Sequence, residues 1–193
     1  MKVILKKVRM AFPELFVPKS IAGGKPRYGA TFIIVPGSEN AKKLNQAQTQ
    51  VSKDKWEERA EAVFKELVRK DLVAYRKDTK LNSSGEAYDG FDGMHYVSTA
   101  NKNRPEVKDR DKSPLTEADG RPYGGCYVNV SLDLYAQDHK EYGKRTVAKL
   151  LGVQFDSNGD SFGGGERADE TDFDDISDTG DDCSDASETD DLY

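Results

Sequence analysis

The sequence predicts a mainly β protein with one long helical insertion, folded as a small, partly open Greek-key barrel and followed by an acidic tail. Three observations carry that prediction. Residues 125–136, GCYVNVSLDLYA, alternate strictly between apolar and polar side chains, the mark of a strand with one buried and one wet face. The other runs rich in β-branched and aromatic residues are short and punctuated by Gly and Pro, and only one stretch repeats apolar residues at helical spacing. A doubly wound sheet needs strands and helices in alternation, so a barrel of five or six strands fits this order better. Charge, finally, divides the chain. Residues 156–193 hold 15 acidic residues against one basic residue, Arg167, a net of −14. The preceding 155 residues hold 28 basic and 20 acidic residues, a net of +8. The expected organisation is therefore a basic folded domain over residues 1–155 and a tail over 156–193.

The elements follow in order. Residues 2–12, KVILKKVRMAF, are the first expected strand. Lys6, Lys7 and Arg9 cannot all face a core, so one of its faces is wet and positive. Phe12-Pro13 is expected to end it, because proline disfavours strand continuation. A Gly- and Pro-rich turn over 22–26 leads to a second strand at 27–35, closed by Pro36-Gly37. Tyr28, Ala30, Phe32 and Ile34 share one face of it; Arg27, Thr31, Ile33 and Val35 share the other. From Ser38 the period changes, with Ala41, Leu44, Ala47, Val51, Trp56, Ala60, Val63 and Leu67 at helical spacing. This stretch is one helix, or two broken near Ser52, and its apolar stripe is a packing face.

Residues 72–82 read as a short strand entering a basic loop with Arg76, Lys77 and Lys80. Residues 85–93, GEAYDGFDG, are turn-rich, with Tyr88 and Phe91 expected exposed or half-exposed. A strand at 94–101 precedes Lys102, Arg104, Lys108, Arg110 and Lys112, and residues 110–122 read as a long loop. After the alternating strand, a turn near 139–143 leads to a last strand at 144–155.

Several classes of function fit poorly. No apolar run approaches the ~18 residues of a membrane span, and the first residues are too short a hydrophobic stretch for a signal peptide. Cys126 and Cys183 form no disulfide framework or metal-ligand spacing, and a reducing, cytosolic setting is the default. Residues 159–163 match GxSxG formally, but both histidines, His95 and His139, lie upstream, whereas the nucleophile elbow needs acid and His downstream. Asp156, Asn158 and Asp160 imitate the start of a calcium loop, yet Ser161 stands where Gly is needed and Arg167 where Glu is needed. Nothing argues for an enzyme, a metal or a cofactor.

A basic body suggests a polyanionic partner. Holding single-stranded nucleic acid without reading sequence takes a positive groove along the phosphates and aromatic faces for the bases. Tyr127 and Tyr135 share the wet face of the cleanest strand, and Tyr96 and Tyr28 are candidates on neighbouring strands. Arg27, Lys102, Arg104, Lys144 and Arg145 stand at or beside strand ends. Any single tyrosine of this set also fits a half-buried barrel position; interleaved with cations on a sheet, the set reads as a binding surface. Duplex DNA fits less well, because the helical stretch mixes Glu and Lys evenly and offers no basic recognition face.

The segments KVILKKVRMAFPELFVPK, RYGATFIIVP, GFDGMHYVSTANKNRPEV, GGCYVNVSLDLYA and LLGVQF, followed by GGGERADETDFDDI, together resemble a family of tailed-phage single-stranded-DNA-binding proteins first catalogued as a domain of unknown function. The resemblance runs in order over nearly the whole chain. It implies an OB-fold, a role in phage DNA replication or recombination in the cytoplasm of the infected bacterial host, and an acidic C-terminal tail ending in an aromatic residue. The tail itself, highly charged and poor in apolar residues, is expected to be disordered. Phe173 and the ending Asp190-Asp191-Leu192-Tyr193 are its expected docking points for replication or recombination partners; a plain solubility tail is the other reading. Two rival readings of the whole chain remain open here: an acidic-tailed adaptor or DNA mimic, and a single-stranded-RNA-binding protein.

Overall fold

The computed structural model describes residues 1–20, 23–140 and 143–162. Within them the strands are β1 (Lys2–Lys19), β2 (Arg27–Ile34), β3 (Tyr75–Arg76), β4 (His95–Asn101), β5 (Glu106–Lys108), β6 (Tyr127–His139) and β7 (Gly143–Ser157). The helices α1 (Glu39–Trp56) and α2 (Ala60–Arg69) lie between β2 and β3. Five strands form the barrel wall in the order β4-β2-β1-β6-β7, each antiparallel to its neighbour. A parallel pairing of Thr99 in β4 with Ala148 in β7 closes it. The short β3 and β5 extend the sheet beside β4 and β7. Closure leaves no long unpaired edge in the wall. Buried polar side chains brace β4 on both sides: at the seam with β7, Asn101 Nδ2 donates to the Leu150 carbonyl at 2.7 Å, and toward β2 the Thr99 hydroxyl donates to the Ala30 carbonyl at 2.8 Å.

The core is assembled from the alternations read in the sequence. Val128, Val130, Leu132 and Leu134 of β6 point inward with Ala30, Phe32 and Ile34 of β2, as expected. Ala41, Leu44 and Ala47 of α1 join the same core, so the helix packs its apolar stripe against the barrel. Ser38 caps α1, its hydroxyl accepting from the Ala41 N–H at 3.2 Å. Buried Gln48 accepts from the Tyr75 N–H at 2.9 Å and donates to the Tyr75 carbonyl at 3.2 Å, tying β3 to the helix. The helical stretch breaks at a single 3₁₀ turn, Glu57–Arg59, and not at Ser52. Ser52 is buried within the helix, its hydroxyl satisfied by donating back to the Gln48 carbonyl at 2.8 Å.

Four local expectations are corrected. β1 continues past Phe12-Pro13 to Lys19, because a bulge between Ala11 and Glu14 absorbs the missing proline N–H. A second irregularity, between Leu5 and Val8, turns Lys6 and Lys7 outward; Asn40 Oδ1 accepts from the Lys6 N–H at 3.1 Å and Asn129 Oδ1 from the Lys7 N–H at 3.0 Å. The strand expected over 72–82 shrinks to Tyr75–Arg76. Phe91, expected at least half-exposed, is fully buried. β7 also runs beyond residue 155, to Ser157, and residues 158–162 then pack across the outside of the barrel.

Candidate nucleic-acid interface

The outward side chains of adjacent barrel strands line up in one transverse row. Tyr96 of β4 pairs with Ile33 of β2, Ile33 with Arg9 of β1, and Arg9 with Tyr127 of β6. With strands ~4.8 Å apart, the two tyrosines are about 14 Å from each other across the sheet. The residues that give this row its outward parity are those left over when Phe32, Met10, Val97 and Val128 fill the core. Ile33 and Tyr96 form a second, outer cluster with Ala11 and Phe91, against which Tyr88, Met94 and Phe162 pack.

Cations are threaded through these rings. The Arg9 guanidinium stands 4.3 Å from the Phe162 ring centroid and 5.8 Å from that of Tyr127, and the Lys7 ammonium 6.0 Å from Tyr127. Arg76 lies 5.7 Å from the Tyr96 ring centroid and donates to its hydroxyl at 3.0 Å. The Lys80 ammonium sits 5.1 Å from Tyr96 and 6.0 Å from Phe12. Burial, with Arg76 beside it, holds the Lys80 ammonium below the usual lysine pKa. Among the described residues none of Arg9, Arg76 and Lys80 forms an ion pair with a carboxylate. Asp78 offsets part of the charge at Lys80 without forming an ion pair with it, and the remaining positive potential is one that a polyanion relieves. Burial and the nearby Lys77 lower the His95 pKa, disfavouring its cationic form.

Residues 158–162 strap the β6 end of the row. Arg9 Nη2 donates to the Asp160 carbonyl at 2.8 Å and Nε to the Gly125 carbonyl at 3.1 Å, while the Phe162 N–H donates to the Gly124 carbonyl at 3.0 Å. Two glycines permit the close approach. A Cβ on Gly90 would lie 2.6 Å from the Phe162 ring, and one on Gly125, at φ +109°, would overlap the Asp160 carbonyl.

Downstream of the row, the β2–β4 surface is lined by small residues. Thr31 and Ser98 share a hydrogen bond at 3.3 Å, with Gly29 and Ala100 beyond them. Phe12 borders this floor from the β1 bulge, and Phe16, with Arg104 5.2 Å from its ring, lies further along the same strand. In five-stranded OB barrels this second–third strand face, with the loops at its two ends, is where oligonucleotides bind.

The sequence-derived candidates fall in three places. Tyr127 faces outward as expected and shares the row with Tyr96. Tyr96 is not on a wet face: it is only 3% exposed, because the turn-rich segment carrying Tyr88 and Phe91 folds over it. Arg27, Lys102 and Arg104 stand at the β1–β2 loop end of the floor; Tyr28 lies at the same end, paired with Asn101, but on the inward parity of Ala30 and Phe32. Tyr135, 36% exposed, and Lys144 and Arg145 lie toward the β6–β7 hairpin, where Gln137 pairs with Arg145. Eight residues separate Tyr135 from Tyr127 along β6, roughly 26 Å. Tyr127 and Tyr135 are thus one face but not one site. Phe173, Asp190, Asp191, Leu192 and Tyr193 lie outside the described residues.

Sequence reasoning missed Arg9, Phe12, Arg76, Lys80 and Phe162 as members of one surface. Arg9 was legible only as one of three cations unable to share a core. Phe12 was hidden by the proline after it, which reads as a strand end. Arg76 and Lys80 reach the row through a loop whose path no periodicity encodes.

A family model described as the single-stranded-DNA-binding protein of Enterobacter phage Enc34 matches residues 1–184. Protein p50 of Acyrthosiphon pisum secondary endosymbiont phage 1 is 39% identical over 180 residues, covering 92% of this chain and 95% of p50. The fold resembles the bacteriophage Enc34 single-stranded-DNA-binding protein solved in complex with ssDNA, with TM-score 0.67 and 21% identity over 84% of this chain and 89% of that one. It also resembles gp2.5, a single-stranded-DNA-binding protein of bacteriophage T7, with TM-score 0.53 and 15% identity over 93% and 98% of the two chains.

Proposed function

The chain belongs to the family of the Enterobacter phage Enc34 single-stranded-DNA-binding protein, and from that premise we propose that it binds single-stranded DNA without reading sequence, on the outer face of β1, β2 and β4. The observation that carries this reading is the set of half-buried cations, Arg9, Arg76 and Lys80, laid against aromatic rings with no carboxylate partner among the described residues. Phosphates supply the direct ion pairs that these cations lack, and release of the condensed counterions drives association. Aromatic edges and faces along the floor hold unpaired bases, while Arg27, Lys102 and Arg104 extend the phosphate path at one end and Lys144 and Arg145 at the other. None of this needs a cofactor or a reacting group.

The acidic tail acts on the same cations. Residues 163–193, with 13 acidic residues against Arg167, are a −12 segment tethered to a +6 body, present near the groove at high effective concentration and competing with DNA. A bound strand displaces it, freeing Phe173 and the Asp190-Asp191-Leu192-Tyr193 ending to recruit replication or recombination proteins in the cytoplasm of the infected host. Among the described residues no helix is long and apolar enough to cross a membrane.

Fluorescence anisotropy with labelled single-stranded DNA, duplex DNA and single-stranded RNA of one length tests the reading. Tight binding to single-stranded DNA of several sequences, with weaker binding to duplex, is expected. Preference for RNA would turn the assignment to the RNA reading; no affinity of the tail-less body for any strand would leave the adaptor reading.

A further inference from the structure

Phe12 is at odds with its local surroundings in three respects. Its φ is +50°, a left-handed conformation that bulky side chains avoid. It occupies the extra position of the β1 bulge, between Ala11, opposite Thr31, and Glu14, opposite Gly29. And it is 44% exposed, although Ala11, Ile33, Phe91 and Tyr96 beside it are buried. The bulge turns an aromatic ring out of the sheet that a regular strand would have placed in it. The ring is supported edge-on by Tyr88 at 5.0 Å and in stacked orientation, 25° between planes, by Phe91 at 6.1 Å. Backbone strain maintained by such rigid support is found where a side chain has a task.

We propose that Phe12 is the residue by which this face selects single strands over duplex: it stacks on one unpaired base while Lys80, 6.0 Å from its ring, takes a neighbouring phosphate. The inference rests on the single-strand-binding reading above and assigns its discriminating contact. Phosphates are present in single and double strands alike, so Arg9, Arg76 and Lys80 attract both. Base faces are available only in an unpaired strand, because in duplex they are stacked on one another. A supported, water-exposed ring beside a cation gains from the first and not from the second. Beside the ring the floor presents short side chains to solvent, exposed Ser98 and half-buried Ala100.

The test uses the full chain and three probes of equal length: a single-stranded oligothymidylate, its abasic counterpart and a duplex. The unmodified protein is measured first; if it fails to bind the oligothymidylate, the underlying reading falls before any variant is made. Phe12→Ala is expected to weaken oligothymidylate binding about tenfold and to leave abasic and duplex binding within about twofold. Phe12→Trp is expected to keep the preference. Phe12→Gly, which takes φ +50° freely, is expected to lose it while melting no lower than Phe12→Ala. Equal weakening on all three probes, or none on the oligothymidylate, overturns the proposal. So does collapse of both the Ala and the Gly variants, since the ring would then be a member of the core.

Discussion

Arg9→Met tests how the outer face is held together. The substitution keeps an aliphatic stem over the sheet and removes the guanidinium. Lost with it are two charge-assisted hydrogen bonds, 2.8 Å to the Asp160 carbonyl and 3.1 Å to the Gly125 carbonyl, and the ring contact with Phe162 at 4.3 Å. Arg9 is half-buried, so each hydrogen bond is taken at the low end, about 1 kcal/mol, and the ring contact at about 0.5–1 kcal/mol. The total is roughly 2–3 kcal/mol, and for a domain of this size each kcal/mol shifts Tm by about 2–4 °C. A fall of roughly 5–10 °C is therefore expected in thermal melting followed by circular dichroism. Arg9→Lys, which retains charge but not the fork that reaches both carbonyls, is expected to fall between. A shift below about 2 °C for Arg9→Met would refute the reasoning, showing that water replaces both bonds without loss and that residues 158–162 are held by other contacts.

Other expectations follow from burial and charge. Tyr96→Ala empties a buried site and is expected to cost about 3–5 kcal/mol in denaturant unfolding, whereas Tyr127→Ala is expected to weaken single-strand binding by roughly 1–3 kcal/mol with the fold intact. Tyr135→Ala is expected to have a like effect only on oligonucleotides long enough to reach the β6–β7 hairpin; unfolding by either of the last two would show that the face assignment is inverted. Burial pushes the Cys126 thiol up to about 11. The unfolded chain, with a thiol near its ordinary value, releases that proton first, so stability falls by roughly 2–3 kcal/mol as pH rises from about 9 to 11. In Cys126→Ala that component of the pH slope is expected to vanish, and an unchanged slope would exclude the thiol as its source. Deleting residues 166–193 is expected to tighten single-strand binding, most clearly at low salt, and to abolish partner binding, while removing only Leu192 and Tyr193 spares DNA affinity and loses the partner. Equal DNA affinity with and without the tail at low salt would sink the competition model.

What the sequence made legible was whatever has a period. The β6 alternation, the face of β2 carrying Phe32, and the helix start at Ser38 are local patterns, and each appears in the structure as read. The β1 irregularities between Leu5 and Val8 and between Ala11 and Glu14 are not periodic, and they decide where Lys6, Lys7 and Phe12 point. Phe91 and Tyr96 show the same limit: alternation identifies the outward side of β4, but only the path of the following or preceding loop decides whether outward means wet. Arg9 meets Gly125 and Asp160 across 116 and 151 residues of sequence, a separation that no window can span. The candidate site was thus half legible, as a basic, aromatic sheet face, while its centre was set by tertiary contacts.

The central claim, that cations on this outer face hold single-stranded DNA by its phosphates, is tested most directly by the salt dependence of single-strand affinity in the unmodified chain and in Arg76→Gln/Lys80→Gln. A steep fall of affinity with salt is predicted for the unmodified chain, with a log–log slope of about −0.7 per phosphate neutralised, and a slope shallower by about 1.4 for the double variant. A slope near zero in the unmodified chain, or an identical slope in the variant, would contradict the account.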